Sequence, residues 1–165
     1  MDGSAEPRVS IRHDDFDLGE EIARLRAGDA GVGAVAAFVG TVREMNEGAE
    51  VRALELEHYS GMTETSIEAM IDEAMRRFEI RAARVVHRIG VLEPMAQIVL
   101  VAVTASHRGQ AFQACEFLMD YLKTQAPFWK KETGAGGTHW VDARSSDDTA
   151  LARWGIAAAN AGRRG

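Results

Sequence analysis

At 165 residues and 46% hydrophobic, the chain has the size and composition of one globular domain with a substantial core. Acidic residues outnumber basic ones by 25 to 19, and the net charge of -6 leaves no general attraction to nucleic acid or an anionic membrane, so any anion must be held by a local patch. No apolar run approaches a membrane span and the single Cys115 cannot close an intramolecular disulfide, which together fit a reducing cytoplasm.

The opening MDGSAEP has no apolar h-region, and residues 1–8 read as a short flexible leader. Val9 to His13 alternates weakly, as a short strand does, and Leu18, Ile22 and Leu25 follow at helical spacing up to the break Gly28-Asp29-Ala30-Gly31. Gly33 to Val42 is almost continuously apolar, which predicts a strand covered on both faces. Gly31-Val32-Gly33-Ala34-Val35-Ala36 carries the letters of a dinucleotide fingerprint, but it follows a helix and opens a strand, the reverse of what that motif needs, so its glycines read as a turn. After a polar loop from Arg43 to Glu50, Val51 to Tyr59 alternates as a strand. Ile67, Met70, Ile71, Ala74, Met75 and Phe78 then mark a helix, with Thr63 as N-cap and Met62 stapled onto Ile67.

Two strands, Ala83 to Val91 and Gln97 to Ala105, are separated by Leu92-Glu93-Pro94-Met95 and pair as a hairpin. A long helix covers Gln110 to Gln125 and stops before Pro127, with an apolar stripe of Phe112, Cys115, Met119 and Leu122 and with Leu118 alongside. Phe128 to Glu132 and Thr138 to Asp142 are short strands joined by the loop from Thr133 to Gly137. The order β-α-β-β-α-β-β-α-β-β does not alternate as a doubly wound fold would, and an α+β sandwich is expected: a single domain over residues 9–154, then a disordered tail over residues 155–165.

Charge singles out the segment between His107 and Lys131, where a His-Arg pair and three lysines bracket an amphipathic helix in an otherwise acidic chain. His107 and Arg108 lie at a strand-to-helix junction, where free backbone N–H groups favour an anion such as a phosphate; helix capping is the competing reading. Lys123 follows Met119 by four residues and ends the apolar stripe, so it is either a partly desolvated amine able to transfer protons or act as a nucleophile, or a snorkelling lysine at a helix C-terminus. Lys130 and Lys131 point to opposite faces of their strand, Phe128 siding with Lys130 and Trp129 with Lys131. Arg43, ending another apolar strand, is a third basic candidate. The five histidines share no metal-ligand spacing and Cys115 lies on the apolar stripe, so no metal site and no cysteine nucleophile are expected. Sixteen residues of unbroken helix hold the backbones of His107 and Lys123 roughly 24 Å apart. A symmetric dimer that brings His107 and Arg108 of one subunit to Lys123 of the other is therefore expected.

FVGTVR at Phe38 to Arg43, LEHYSGMTE at Leu56 to Glu64, HRIG at His87 to Gly90, SHRGQAF at Ser106 to Phe112 and MDYLKTQAPFWKKE at Met119 to Glu132 together resemble the family of large catalytic subunits of molybdopterin synthase. The likeness runs from about Gly33 to Arg144. It implies an α/β-hammerhead with a small added antiparallel β subdomain, and an enzyme that builds the dithiolene of molybdopterin on cyclic pyranopterin monophosphate. Sulfur would come from the C-terminal Gly-Gly thiocarboxylate of a small ubiquitin-like subunit, a homodimer of large subunits carrying one small subunit at each end of a heterotetramer. No cofactor is implied. By motif, Thr41, Val42 and Arg43 would border the substrate, and His107 and Arg108 would hold its phosphate or another anionic group. Lys123 and Lys130 would be the catalytic pair, with Lys131 and Glu132 contributing contacts. Arg144, in WVDAR, would enter the neighbouring subunit's site, and Phe38 and Met119 would form apolar walls. A non-catalytic docking partner of a ubiquitin-like protein and a phosphate-ligand sensor are the rival readings; retention of both Lys123 and His107-Arg108 favours catalysis.

Overall fold

The computed structural model describes residues 7–46, 48–126, 128–141 and 145–156. In chain order its elements are β1 (Val9–Arg12), α1 (Leu18–Arg26), β2 (Ala34–Thr41), β3 (Met45–Asn46), β4 (Ala49–Glu50), β5 (Ala53–His58), α2 (Met62–Arg77), β6 (Ile80–Arg88), β7 (Gly90–Leu92), β8 (Gln97–Ala105), α3 (Arg108–Gln125), β9 (Phe128–Gly134), β10 (Gly137–Val141) and α4 (Ser145–Ala152). The fold is α+β, as the order of elements leads one to expect. Most of the leader and of the tail expected from sequence lies outside the described residues.

The strands form two four-stranded sheets and a small ribbon. The first sheet has the order β1-β6-β8-β2, with β1 parallel to β6 and the other pairs antiparallel. The second, β10-β9-β5-β7, is antiparallel throughout, and β3 pairs with β4 alone. Strand β8 is central and buried on both faces, which is why its sequence is apolar without alternation. Val99, Val101, Val103 and Ala105 point to the main core under α2 and α3, while Leu100 and Ala102 point to a smaller cluster with Phe16, Val86 and Leu25 beside α1. A third cluster, Val42, Val51, Leu54, Leu56 and Leu92, lies against the second sheet.

Several expectations are corrected. The apolar strand from Gly33 is not covered on both faces: β2 is an edge strand, with Ala37 and Phe38 exposed. The polar loop after it holds the β3–β4 ribbon. Helix α2 starts ahead of Thr63, on Gly61 at φ 84°, where the Glu64 carboxylate accepts from the Gly61 N–H. Thr63 is buried within the first turn with its hydroxyl donating to the Tyr59 carbonyl, and Met62 is exposed. The hairpin of β6 and β8 is present, but its first strand stops at Arg88. Gly90, at φ 88°, turns the chain into β7 and so into the second sheet, and a Cβ there would lie 2.8 Å from His13 Nδ1.

Helix α3 keeps Cys115, Leu118, Met119 and Leu122 in the core, but Phe112 is 65% exposed and Ala111 and Ala114 take the inward positions. Phe117, off that stripe, is fully buried because α3 has a second covered side. That cover is α4, which sequence periodicity missed: a short run with one large apolar residue, Leu151, offers no stripe to read. Trp154, just beyond α4, meets Phe78 and Phe117 edge-on at 5.7 and 5.5 Å and donates its indole N–H to the Asp120 carboxylate at 2.8 Å.

Candidate functional site

The end of α3 and the start of β9 form the joint around which the lysines lie. Lys123 stands in the last turn of α3 and is exposed. Successive i+4 steps drift about 40° around a helix, so by Lys123 the line from Cys115 through Met119 has left the buried stripe. The partial burial that the stripe allowed for Lys123 is thus not met within one chain. Lys130 is exposed on β9, opposite Leu56 of β5, and close enough to the buried His87 to act on its charge. Lys131 points to the other face as expected, its ammonium 4.8 Å from the centre of the Trp140 ring, and Trp129 shares that side with its ring edge-on to Tyr59.

Glu132 is half-buried and held from two directions: Asn46 Nδ2 donates to it at 2.7 Å, and His139 Nε2 lies 3.7 Å away. It therefore ties the β3–β4 ribbon to the second sheet.

The basic end of β2 meets this region through the first sheet. Thr41 pairs with Gln97 at the start of β8 after a register shift at Gly40, and Val99 lies between Gly40 and His87. Thr41 and Arg43 are exposed where the strand ends. Val42 is buried in the third cluster, its N–H donating to the Ala96 carbonyl and its carbonyl accepting from Met95. Phe38 presents a partly exposed ring beside Gly40, and Met119 is buried in the main core.

His107 and Arg108 lie elsewhere. Ala105 at the far end of β8 pairs with Ala34, and α3 runs back from there without a break, so the His-Arg pair and the lysines occupy opposite ends of the sheet. His107 is the N-cap residue of α3 but makes no side-chain capping bond, and both side chains are exposed, which leaves them available to a ligand. One chain does not gather all the basic candidates around one pocket. Arg144 lies outside the described residues.

An open cleft of 650 Å³ is lined by Glu44, Met45, Gly48, Glu50, Val51, Arg52 and Pro94. Two glutamates against one arginine make it a poor host for a phosphate. The exposed cations Lys123, Lys130 and Arg43 lie apart from it, at the α3–β9 joint and the end of β2.

Beneath that joint lie Phe128, expected on the side of Lys130, and two histidines to which the sequence reading assigned no role. His87 is buried and stacks on Phe128, ring centres 3.8 Å apart at 17°. His58, the cross-strand partner of Phe128, lies 6.4 Å from it at a 30° tilt. Burial pushes the His87 imidazole down to about 3, helped by Lys130 and His58 and opposed by its bond to the Arg88 carbonyl. The histidines were weighed only as metal ligands; their place inside LEHYSG and HRIG, two of the quoted motifs, was the available signal. Cys115 is buried as expected, and burial pushes its thiol up to about 11.

The family described as MoaE protein matches residues 11–125. A molybdopterin synthase catalytic subunit from Ralstonia nicotianae is 58% identical over 155 residues, covering 94% of this chain and 88% of that protein. Among solved structures, a molybdopterin biosynthesis MoaE protein from Burkholderia ambifaria aligns with a TM-score of 0.79 at 57% identity, over 92% of this chain and 99% of the other. A molybdopterin synthase from Staphylococcus aureus aligns at 0.76 and 29% identity, over 84% and 99%.

Proposed function

The chain belongs to the MoaE protein family, and from that premise we propose that it is the catalytic subunit of a molybdopterin synthase, a sulfurtransferase that converts cyclic pyranopterin monophosphate to the molybdopterin dithiolene. The sulfur donor is the C-terminal thiocarboxylate of a small ubiquitin-like subunit, and the reaction belongs in the reducing cytoplasm. The observation that carries this reading is the joint between α3 and β9: two exposed lysines, Lys123 and Lys130, flank it at the end of the first sheet where Arg43 leaves β2.

The thiocarboxylate sulfur attacks a carbon of the pterin side chain, and the new C–S bond replaces a C–O bond of that carbon, whose oxygen leaves as water or on the opening cyclic phosphate, while the carrier remains attached through its acyl group. Water then cleaves the acyl–sulfur bond, leaving sulfur on the pterin and the carrier as a carboxylate. A second carrier supplies the second sulfur in the same way, and the cyclic phosphate, opened by loss of one C–O bond, stays on the product as a monoester. Fixed cations suit every stage, because the donor, the phosphate of the substrate and the tetrahedral oxyanion of the hydrolysis are all anionic. Lys123 serves as general acid-base or transient acyl acceptor, Lys130 as its partner, and Arg43 and Thr41 border the substrate. Lys131 and Glu132 act from around the site, with Phe38, Met119 and Val42 as its apolar support. The helix length supports a homodimer in which His107, Arg108 and Arg144 of one subunit complete the anion site of the other, within a heterotetramer.

The test combines the protein with thiocarboxylated small subunit and cyclic pyranopterin monophosphate and measures molybdopterin. Product is expected. None, under conditions where a known synthase works, refutes the assignment.

A further inference from the structure

The two lysines belong to different elements, and their relative placement depends on the few residues between them. Phe128 is the first residue of β9, five after Lys123 and two before Lys130, and its N–H donates to the Ala126 carbonyl at 2.9 Å in a tight joint. Its ring is gripped from within the molecule. His87 lies flat against it at 3.8 Å, and His58, its partner across β5 and β9, lies at 6.4 Å, tilted by 30°. The His87 ring is itself fixed: Nδ1 lies 2.7 Å from the Arg88 carbonyl oxygen, which can only accept, so Nδ1 carries the proton. A leucine would fill similar space, but it could not be locked in plane by such a bond.

Burial keeps this imidazole uncharged, so it offers Lys130 a neutral floor. His58 Nδ1 is also buried, with no hydrogen-bond partner among the described residues. Neither histidine has a part in the chemistry set out above.

We propose that His87 is a positioning residue for sulfur transfer: by stacking on Phe128 from a hydrogen-bonded, fixed plane, it sets the α3–β9 joint and with it the placement of Lys123 relative to Lys130. The proposal rests on the reading of both lysines as catalytic.

The experiment uses the full chain with thiocarboxylated small subunit and cyclic pyranopterin monophosphate, and compares His87→Leu, His87→Phe, Phe128→Leu and the double variant His87→Leu/Phe128→Leu. Loss of the stack lowers kcat by about 10- to 100-fold in each leucine variant with KM nearly unchanged, the cost of a small misplacement of reacting groups. The double variant is no worse than either single one, since both remove the same contact. His87→Phe, which keeps a flat ring on Phe128 but not the bond to the Arg88 carbonyl, recovers part of the lost kcat. Independently of turnover, the Phe128 ring protons keep their upfield NMR shift in His87→Phe and lose it in His87→Leu.

A folded His87→Leu with kcat within about twofold of the parent, or losses that multiply in the double variant, overturns the proposal. If His87→Leu does not fold, Phe128→Leu carries the same expectation with His87 left in place. A parent protein without turnover refutes the function instead, and active Lys123→Ala and Lys130→Ala variants refute the lysine roles; neither result touches the NMR shift that reports the stack.

Discussion

Replacing Glu21 by glutamine should unfold this protein more readily than almost any other change that preserves side-chain shape. Glu21 is 2% exposed on α1, and its carboxylate accepts from Arg84 Nε at 2.8 Å and Arg24 Nη2 at 2.9 Å, with the Arg12 guanidinium 3.5 Å away. Arg84 is buried too, and it also donates to the Pro7 carbonyl, so its charge depends on Glu21 for compensation. Glutamine can still accept one bond but removes the negative charge, leaving a buried guanidinium without its counter-ion. That imbalance costs about 3 kcal/mol, at the lower end for a broken buried pair because one acceptor survives. For a chain of this size the melting temperature falls by roughly 6–12 °C.

Urea and thermal unfolding followed by circular dichroism measure the loss. Glu21→Leu combined with Arg84→Met, which removes both charges, should recover about 2 kcal/mol of what Glu21→Leu alone loses. A Glu21→Gln protein within about 1 kcal/mol of the parent, or a double variant as unstable as the sum of its parts, would refute the reasoning. Acid should act at the same place. Burial raises the Glu21 carboxyl, but the Arg84 hydrogen bond and the charges of Arg84, Arg24 and Arg12 outweigh it and hold the group below its ordinary value of 4.5. Its contribution is therefore complete above that pH and is lost as the pH falls through the lower folded value.

Further outcomes are open to direct measurement. Lys123→Ala should abolish turnover while leaving the dimer and small-subunit binding intact on gel filtration; near-normal turnover would remove Lys123 from the chemistry. His87 is held neutral in the fold, down to about 3, whereas unfolding frees it to protonate near 6.5, so stability should begin to fall as the pH drops below about 6.5. That portion of the acid slope should vanish in His87→Phe; an unchanged slope would assign it to another group. Trp154→Ala removes two edge-on aromatic contacts and the bond to Asp120, and should cost about 3 kcal/mol in urea unfolding. Cys115, with its thiol raised to about 11, should resist iodoacetamide at pH 7.5 in the folded protein and react fully in denaturant, mass spectrometry reporting both.

The legible parts of this chain were those whose period is unambiguous. The buried run of β8 and the i, i+3, i+4 stripes of α2 and α3 mark three core elements in the sequence itself, because a strand buried on both faces and a one-sided helix leave different residue patterns. Where one pattern serves two environments, sequence misled. An apolar run suits an edge strand as well as a central one, so the exposure of Phe38 was not foreseen. Phe112, expected on the stripe, is exposed, and the burial of Phe117 was not foreseen because the side of α3 covered by α4 cannot be read from α3 alone. On the site, spacing and charge picked out Lys123, Lys130, Arg43 and the His107-Arg108 pair, and correctly set Lys130 and Lys131 on opposite faces.

What the residues determined by themselves was local and directional: which segments are helix or strand, which charges ride on them, and how far one unbroken helix must separate its two ends. That distance follows from covalent geometry and a fixed rise per residue, and needs no partner to enforce it. Beyond the β6–β8 hairpin, which strands became neighbours, and therefore that His87 of β6 and His58 of β5 close on Phe128 beneath the lysines, was decided by tertiary structure. Contacts between residues tens of positions apart arise from burying several faces at once, and no single segment carries the pattern of its eventual neighbour.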